Sequence, residues 1–544
     1  MMKMILVALA LFLAWNTAAY GKIYRWVDEK GGVHFSDDPP PASAQKPAPQ
    51  TIPQQSLPAG VSRPVDNHRE KPFPAGRDVV TTGVSPIPQI RSMLFQGKFA
   101  DLNALLEKRQ EAAIRDVRLE DDIIAAYEAF WINDRSYESL FNRWIAEFPN
   151  SYLPYLARAK YFYNLAFELR GGKWASETSD KQFQEMKFYL SKSEQDIQQA
   201  LQRHAKGIMP YYLLVGMDRS NKPRAGKPLL AKALEVEPAS LHLRAKYLSG
   251  ITPRWGGSYE EMQEIIDESI GYLTQNPRLA ILQGYPYYDA GDLEASKSNY
   301  ANAELLLTKA ISFGDDGMFL KRRAGIRFFL DKADEALRDI NRAIELWPHD
   351  CDYYDLRSKI LASMKRRDEA LRDIEQADIL SPGNEAVAEQ KKRLAIGFEQ
   401  KGYAHQKSSD PQAAIGEYNN ALRANPDSAI LYLRRAKALI DQNKLDDALV
   451  DLDRAVDLDP NDFDTFLLLD WVLTRRKDWD RIIRGWDKYI ALHLDHSRAY
   501  VERSGAFYHK GDLKSAVKDL KKAADLGDED GRQLYERFKG SVKE

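Results

Sequence analysis

The chain has one cysteine in 544 residues, Cys351. A single thiol excludes an intramolecular disulfide and a cysteine-built zinc site. Neither sign of charge is in excess: 78 Lys and Arg stand against 80 Asp and Glu, a net charge of −2. No global field therefore recruits nucleic acid or anionic lipid, and no connected basic–aromatic stretch points to nucleic-acid binding. Long apolar runs are missing after Met4–Trp15, and that run is itself short for a bilayer. The phosphate loop and the Gly-x-Ser-x-Gly elbow are absent. His493 and His496 stand three apart, a spacing that can bind metal, but no further histidine or cysteine is near and helix-end solvation explains them better. Hence no catalytic residue, cofactor or metal is expected. Cys351 falls at a repeat boundary and reads as structural.

What is present begins with Lys3, the apolar run and the small residues Thr17-Ala18-Ala19-Tyr20-Gly21. This is the pattern of a secretory signal peptide over residues 1–21. Export without disulfides fits a bacterial periplasm, with no transmembrane segment after cleavage. Two short β-type runs, Ile23–Val27 and Val33–Phe35, flank Gly31-Gly32 and predict a small β-hairpin within 22–40. Tyr24-Arg25-Trp26-Val27-Asp28-Glu29, the glycine turn and Ser36-Asp37-Asp38-Pro39 resemble the family called domain of unknown function 4124. The resemblance implies an exported envelope protein. Twelve prolines between Pro39 and Pro88 mark residues 41–88 as a linker with polyproline character, about 40 Å long as a coil.

Residues 89–280 carry apolar residues at helical spacing, interrupted at Arg170-Gly171-Gly172 and Trp255-Gly256-Gly257. Trp144 with Pro149 and Ser151, Arg170-Gly171, and Pro253-Arg254-Trp255-Gly256-Gly257-Ser258 resemble domain of unknown function 4034. That family implies no function.

The second half has a period. Alanine pairs seven apart recur at Ala303/Ala310, Ala336/Ala343, Ala370/Ala377, Ala414/Ala421, Ala448/Ala455 and Ala516/Ala523, with Ile482/Tyr489 in the remaining slot. The step is about 34 residues, with one longer stride before Ala414. Units numbered from 317, 351, 395, 429, 463 and 497 align an apolar fourth position, a mostly small eighth and, in four units, a late proline. The pattern resembles tetratricopeptide repeats, which implies stacked helical hairpins over residues 281–528, closed by a solvating helix in 529–544.

A charge pattern runs through the same units. The seventh position is basic and the twenty-third acidic in Arg323/Asp339, Arg357/Asp373, Lys401/Glu417, Arg435/Asp451 and Arg503/Asp519; both charges vanish together at Leu469/Gly485. Paired gain and loss predicts a ladder of partly buried ion pairs within each hairpin. Off the ladder, the resemblance implies a concave groove lined by the first helices. Lys321, Arg322, Lys359, Arg434 and Lys437 fall there, followed by Leu467, Leu468 and Trp471. This surface suits an acidic or C-terminal peptide, although the Lys and Asn set of a carboxylate clamp is not reproduced.

The expected protein is thus an all-α solenoid with a small N-terminal β-hairpin and a Pro-rich linker. The function read from it is a non-enzymatic scaffold of the bacterial envelope, holding a protein or peptide partner. Two rivals stay open: an enzyme within 89–280 near Arg170, Trp174 and Trp255, and a glycan or cell-wall binder using Trp26 and those tryptophans.

Overall fold

The computed structural model describes residues 24–27, 33–36, 85–171, 177–218, 220 and 226–541. The signal peptide, Trp174 and most of the linker expected from the sequence lie outside these residues. At the N-terminus β1 (Tyr24–Val27) pairs antiparallel with β2 (Val33–Ser36), with Tyr24 opposite Ser36. The remaining architecture among the described residues is helical.

Packing divides the chain into two units, residues 1–364 with 376–383 and residues 365–375 with 384–544. Unit 1 starts with α1 (Ile87–Phe95), α2 (Phe99–Arg115), α3 (Glu120–Glu128), α4 (Glu138–Glu147), α5 (Leu153–Arg170) and α6 (Asp180–Gln202). It continues with α7 (Met209–Asp218), α8 (Lys227–Val236), α9 (Leu241–Gly250), α10 (Tyr259–Ser269) and a 3-10 turn at Pro277–Gly284. Its repeats are α11 (Tyr285–Ser296), α12 (Tyr300–Ile311), α13 (Gly317–Phe329), α14 (Ala333–Leu346) and α15 (Cys351–Ser363). Helix α16 (Arg367–Leu380) is shared, its last turn belonging to unit 1. Unit 2 holds α17 (Glu385–Lys407), α18 (Pro411–Ala424), α19 (Ala429–Asp441), α20 (Leu445–Leu458), α21 (Phe463–Arg476), α22 (Trp479–Leu492), α23 (Ser497–Lys510), α24 (Leu513–Asp525) and α25 (Glu529–Phe538).

The alanine pairs lie on the second helix of each hairpin, and none is more than 3% exposed. Residues seven apart share a helix face, so each pair offers a flat strip to the first helix. The small eighth position meets it from the other side. At Gly402 an added Cβ would stand 2.8 Å from the Tyr418 ring, so backbone and ring already touch. Aromatic residues then fill the core of unit 2, where Tyr418, Phe466, Trp486 and Tyr489 are all buried.

The turn inside each hairpin repeats a backbone device. The residue after the first helix adopts a left-handed conformation at Ser298, Asp331, Ser409, Asn443, Lys477 and Gly511. The next N–H then bonds back to a carbonyl five residues earlier, as in Lys444 to Leu439 at 2.9 Å and Asp478 to Leu473 at 3.1 Å. This is the Schellman ending, which satisfies carbonyls left open by the helix. Glycine is the natural residue for that conformation, yet only Gly511 among these is one.

The charge ladder is present within each unit. Arg323 donates two bonds to Asp339 at 2.8 and 2.7 Å, Arg435 to Asp451 at 2.8 and 2.6 Å, and Arg503 to Asp519 at 2.7 and 2.8 Å. Lys401 pairs with Glu417, while Arg357 and Asp373 belong to different units. A further rail was not expected. The remaining guanidinium nitrogen reaches the preceding hairpin, from Arg357 to Asn341 at 2.9 Å, Arg435 to Asn419 at 2.8 Å and Arg503 to Asp487 at 2.6 Å. Each arginine thus ties two hairpins. Where the charges vanish, Trp486 donates to Asp470 at 2.7 Å across the same sixteen-residue interval.

Candidate binding groove

The residues expected to line a groove fall into two groups. In unit 1, Lys321 bonds Asp352 at 2.5 Å, Arg322 bonds Asp292 at 2.6 Å, and Lys359 bonds Asp355 at 2.6 Å. Burial opposes the Lys321 charge, but Asp350 and Asp352 outweigh it and hold the ammonium above the ordinary lysine range. These three cations are neutralised by the chain itself. In unit 2, Arg434 likewise bonds Glu399 at 2.8 Å and lies over the Tyr403 ring.

Lys437 differs. It is exposed, makes no ion pair among the described residues, and edges a cavity of about 370 Å³ with Ile440, Asp464, Leu467, Leu468 and Trp471. The cavity lies between α19 and α21, whose facing turns supply every lining residue. Apolar residues form most of its wall, and the buried neighbours Phe466, Leu469, Val472 and Leu473 anchor α21 beneath. Trp471 is 41% exposed, and the Arg475 guanidinium stacks 3.9 Å from its ring centre. Stacking of this kind fixes the indole plane and brings a second positive charge to the slot. Ile440 and Arg475 were not singled out from the sequence; both are four residues from a named lining residue or closer, one helical turn along the same face.

The motif in the middle region has a different use. Arg254 donates to Asp289 at 2.8 Å and to Asp292 at 2.6 Å, both on α11, and Tyr259 donates to Asp289 at 3.0 Å. Gly256 has φ +87, and an added Cβ at Gly257 would stand 2.0 Å from the Ile251 carbonyl oxygen. Ser258 forms a capping box with Glu261 at the start of α10. Trp144 is fully buried and stacks on Phe99. Arg254, with Tyr259 beside it, thus fastens the middle region to the first repeat, while Trp144, Gly257 and Ser258 serve packing and capping within the middle region. Arg170 bonds the Gly171 carbonyl and lies over Phe183, and among the described residues it shares no partner with Arg254. His493 and His496 pack on Tyr489, and His496 also packs on Phe463.

Periodic hairpins, alanine strips and the ladder together define a tetratricopeptide-like repeat protein. Family models agree: residues 400–463 match the tetratricopeptide repeat, residues 8–64 match domain of unknown function 4124, and residues 86–220 and 183–278 match domain of unknown function 4034. Among curated proteins the chain is similar to the mitochondrial import receptor subunit TOM70 of Homo sapiens, 25% identical over 321 residues, covering 57% of this chain and 50% of that protein. It is also similar to the Hsp70-Hsp90 organizing protein of Triticum aestivum, 26% identical over 200 residues, 32% of this chain and 34% of that protein. The matches thus span half or less of these relatives' length. Among solved structures, the P58(IPK) TPR domain covers 81% of this chain and 99% of its own, at 13% identity and a TM-score of 0.23. The TPR2AB domain of yeast Sti1, in a pHSP90 complex, covers 43% of this chain and 98% of its own, at 17% identity and a TM-score of 0.20.

Proposed function

We propose that this protein is a non-enzymatic adaptor of the bacterial envelope that holds a partner segment in the slot between α19 and α21. One observation carries this reading: an open, mostly apolar slot of about 370 Å³ edged by Lys437, which makes no ion pair among the described residues. A large apolar side chain of the partner fills the slot, and an acidic group beside it meets Lys437. Arg475 supplies a second contact for negative charge. The tetratricopeptide match at residues 400–463 includes Lys437 and Ile440, which supports a role in protein binding. Location in the envelope rests on the signal-like opening, the lone cysteine and the match to domain of unknown function 4124.

Peptide display against the full chain tests the slot. Selected peptides should combine a bulky apolar residue with a neighbouring Asp or Glu. Their binding should fall at least tenfold in Lys437→Glu and in Trp471→Ala, both with unchanged helix content. Equal binding to all three proteins would refute the slot. Export is tested by fusing residues 1–30 to a reporter that is active only outside the cytoplasm; a silent fusion refutes that part.

A further inference from the structure

Helix α3 has no exposed face. Every residue from Glu120 to Phe130 is buried or half-buried, and Ile123, Ile124, Ala125, Ala126 and Tyr127 are at most 2% exposed. The Asp122 and Glu128 carboxylates reach partly toward solvent; a helix enclosed to this degree is packed within a body.

Polar clamps hold its two ends to parts of unit 1 far away in sequence. At the start, Glu120 accepts from the Ser240 hydroxyl at 2.5 Å and from the Leu241 N–H at 2.9 Å. It therefore caps α9, whose first N–H groups have no partner inside the helix. Asp121 pairs with His242 and with Arg278, the latter at 2.9 Å. At the other end, Arg91 donates to the carbonyls of Ala129 and Trp131 at 2.9 and 2.8 Å and to that of Leu380 at 2.7 Å. The flanks of α3 are a 3-10 turn at Val117–Leu119 and an irregular stretch before Arg135, so α3 is joined to its neighbours by non-helical chain on both sides.

Helix N–H groups, a hydroxyl, an imidazole and a guanidinium form a receptor for carboxylates. Here the chain's own consecutive acids fill it. We propose that residues 119–131 are an intramolecular ligand of unit 1, and that the surface they cover fits a partner segment of the same chemistry: two adjacent carboxylates leading a short aliphatic helix. This site is independent of the slot in unit 2. It makes unit 1 self-occupied at rest, with an acid-led helix as the competitor.

The test uses the full chain and the double variant Glu120→Gln with Asp121→Asn, which removes both charges at constant volume. The probe is a fluorescein-labelled peptide with the sequence of residues 117–132, beside a control peptide carrying the same two amide replacements. The acidic peptide should bind the variant at least tenfold more tightly than the unaltered chain, and the control should bind neither. No binding, or equal binding to both proteins, overturns the proposal. Should the variant not fold, native hydrogen exchange of the unaltered chain decides. Residues 120–130 should open together with 240–248 and faster than the alanine cores around Ala303 and Ala336. Exchange of 120–130 only along with those cores makes α3 ordinary core and overturns the proposal.

Discussion

The rung at Arg435 and Asp451 makes the sharpest energetic prediction. Asp451 is 2% exposed and receives two bonds from Arg435, which also bonds Asn419 in the preceding hairpin. Replacing Arg435 by Leu strands a buried carboxylate. Losing one partner of a buried pair costs about 3–5 kcal/mol; the arginine side chain is a quarter exposed, so about 3 kcal/mol is expected. Asp451→Ala strands a guanidinium that can still reach Asn419 and water, and about 2 kcal/mol is expected. The double change leaves no orphan charge, as Leu469 and Gly485 show one unit later. It should cost about 2 kcal/mol, well below the roughly 5 kcal/mol of the summed singles, a coupling of about 3 kcal/mol. The assay is urea unfolding followed by tryptophan fluorescence of unit 2, where Trp471, Trp479 and Trp486 report. Single changes that add to within about 0.5 kcal/mol would refute the claim that the rung is one buried unit.

Three further outcomes are expected. Arg91→Met leaves the Ala129, Trp131, Ile379 and Leu380 carbonyls without this donor and should destabilise unit 1 by about 3 kcal/mol; Arg91→Lys should rescue less than half in a thermal melt, since one ammonium with three N–H groups cannot serve four carbonyls. His349 has its pKa pushed down to about 4, chiefly by burial, against an ordinary value near 6.5. Its folded state binds fewer protons, so its contribution is whole above pH 6.5 and is lost as pH falls toward 4, by about 3 kcal/mol; His349→Gln should remove that part of the acid sensitivity in guanidinium titrations between pH 7.5 and 4.5. Lys477 sits at φ +58 in its hairpin turn, so Lys477→Gly should stabilise unit 2 by about 0.5–1 kcal/mol and Lys477→Val should destabilise it, both read from urea midpoints.

The repeats were legible because their cause is periodic. An alanine strip, a small eighth position and a charge at fixed offsets each follow from one hairpin geometry repeated, so one aligned column reveals them. The ladder was legible for the same reason at Arg323/Asp339, Lys401/Glu417, Arg435/Asp451 and Arg503/Asp519, and at its gap. The second rail was missed: Asn341, Asn419 and Asp487 occupy one column, but two of the three carry no charge and drew no attention. Of the cations expected to line a groove, Lys321, Arg322 and Arg434 are each neutralised by a carboxylate on another helix: Asp352, Asp292 and Glu399. Helical position fixes which way a side chain points, but not which neighbour meets it there.

The role of α3 lay further still from view. Glu120-Asp121-Asp122-Ile123-Ile124-Ala125-Ala126-Tyr127 reads locally as an acidic helix start followed by an apolar turn, which the helix dipole favours anywhere. Its partners Ser240, His242 and Arg278 are more than a hundred residues away and follow no repeat. Nothing local distinguishes a carboxylate facing water from one that caps a distant helix. The difference is in burial: water would satisfy Glu120 at no structural cost, whereas at 2% exposure it needs the Ser240 hydroxyl and the Leu241 N–H to remain there at all. Ser240→Ala therefore distinguishes the two cases. It removes the hydroxyl that accepts from the Leu243 N–H at the start of α9 and donates to Glu120, and it should loosen α3 and α9 together in hydrogen exchange. Loosening confined to α9 would mean that Glu120 does not depend on that clamp.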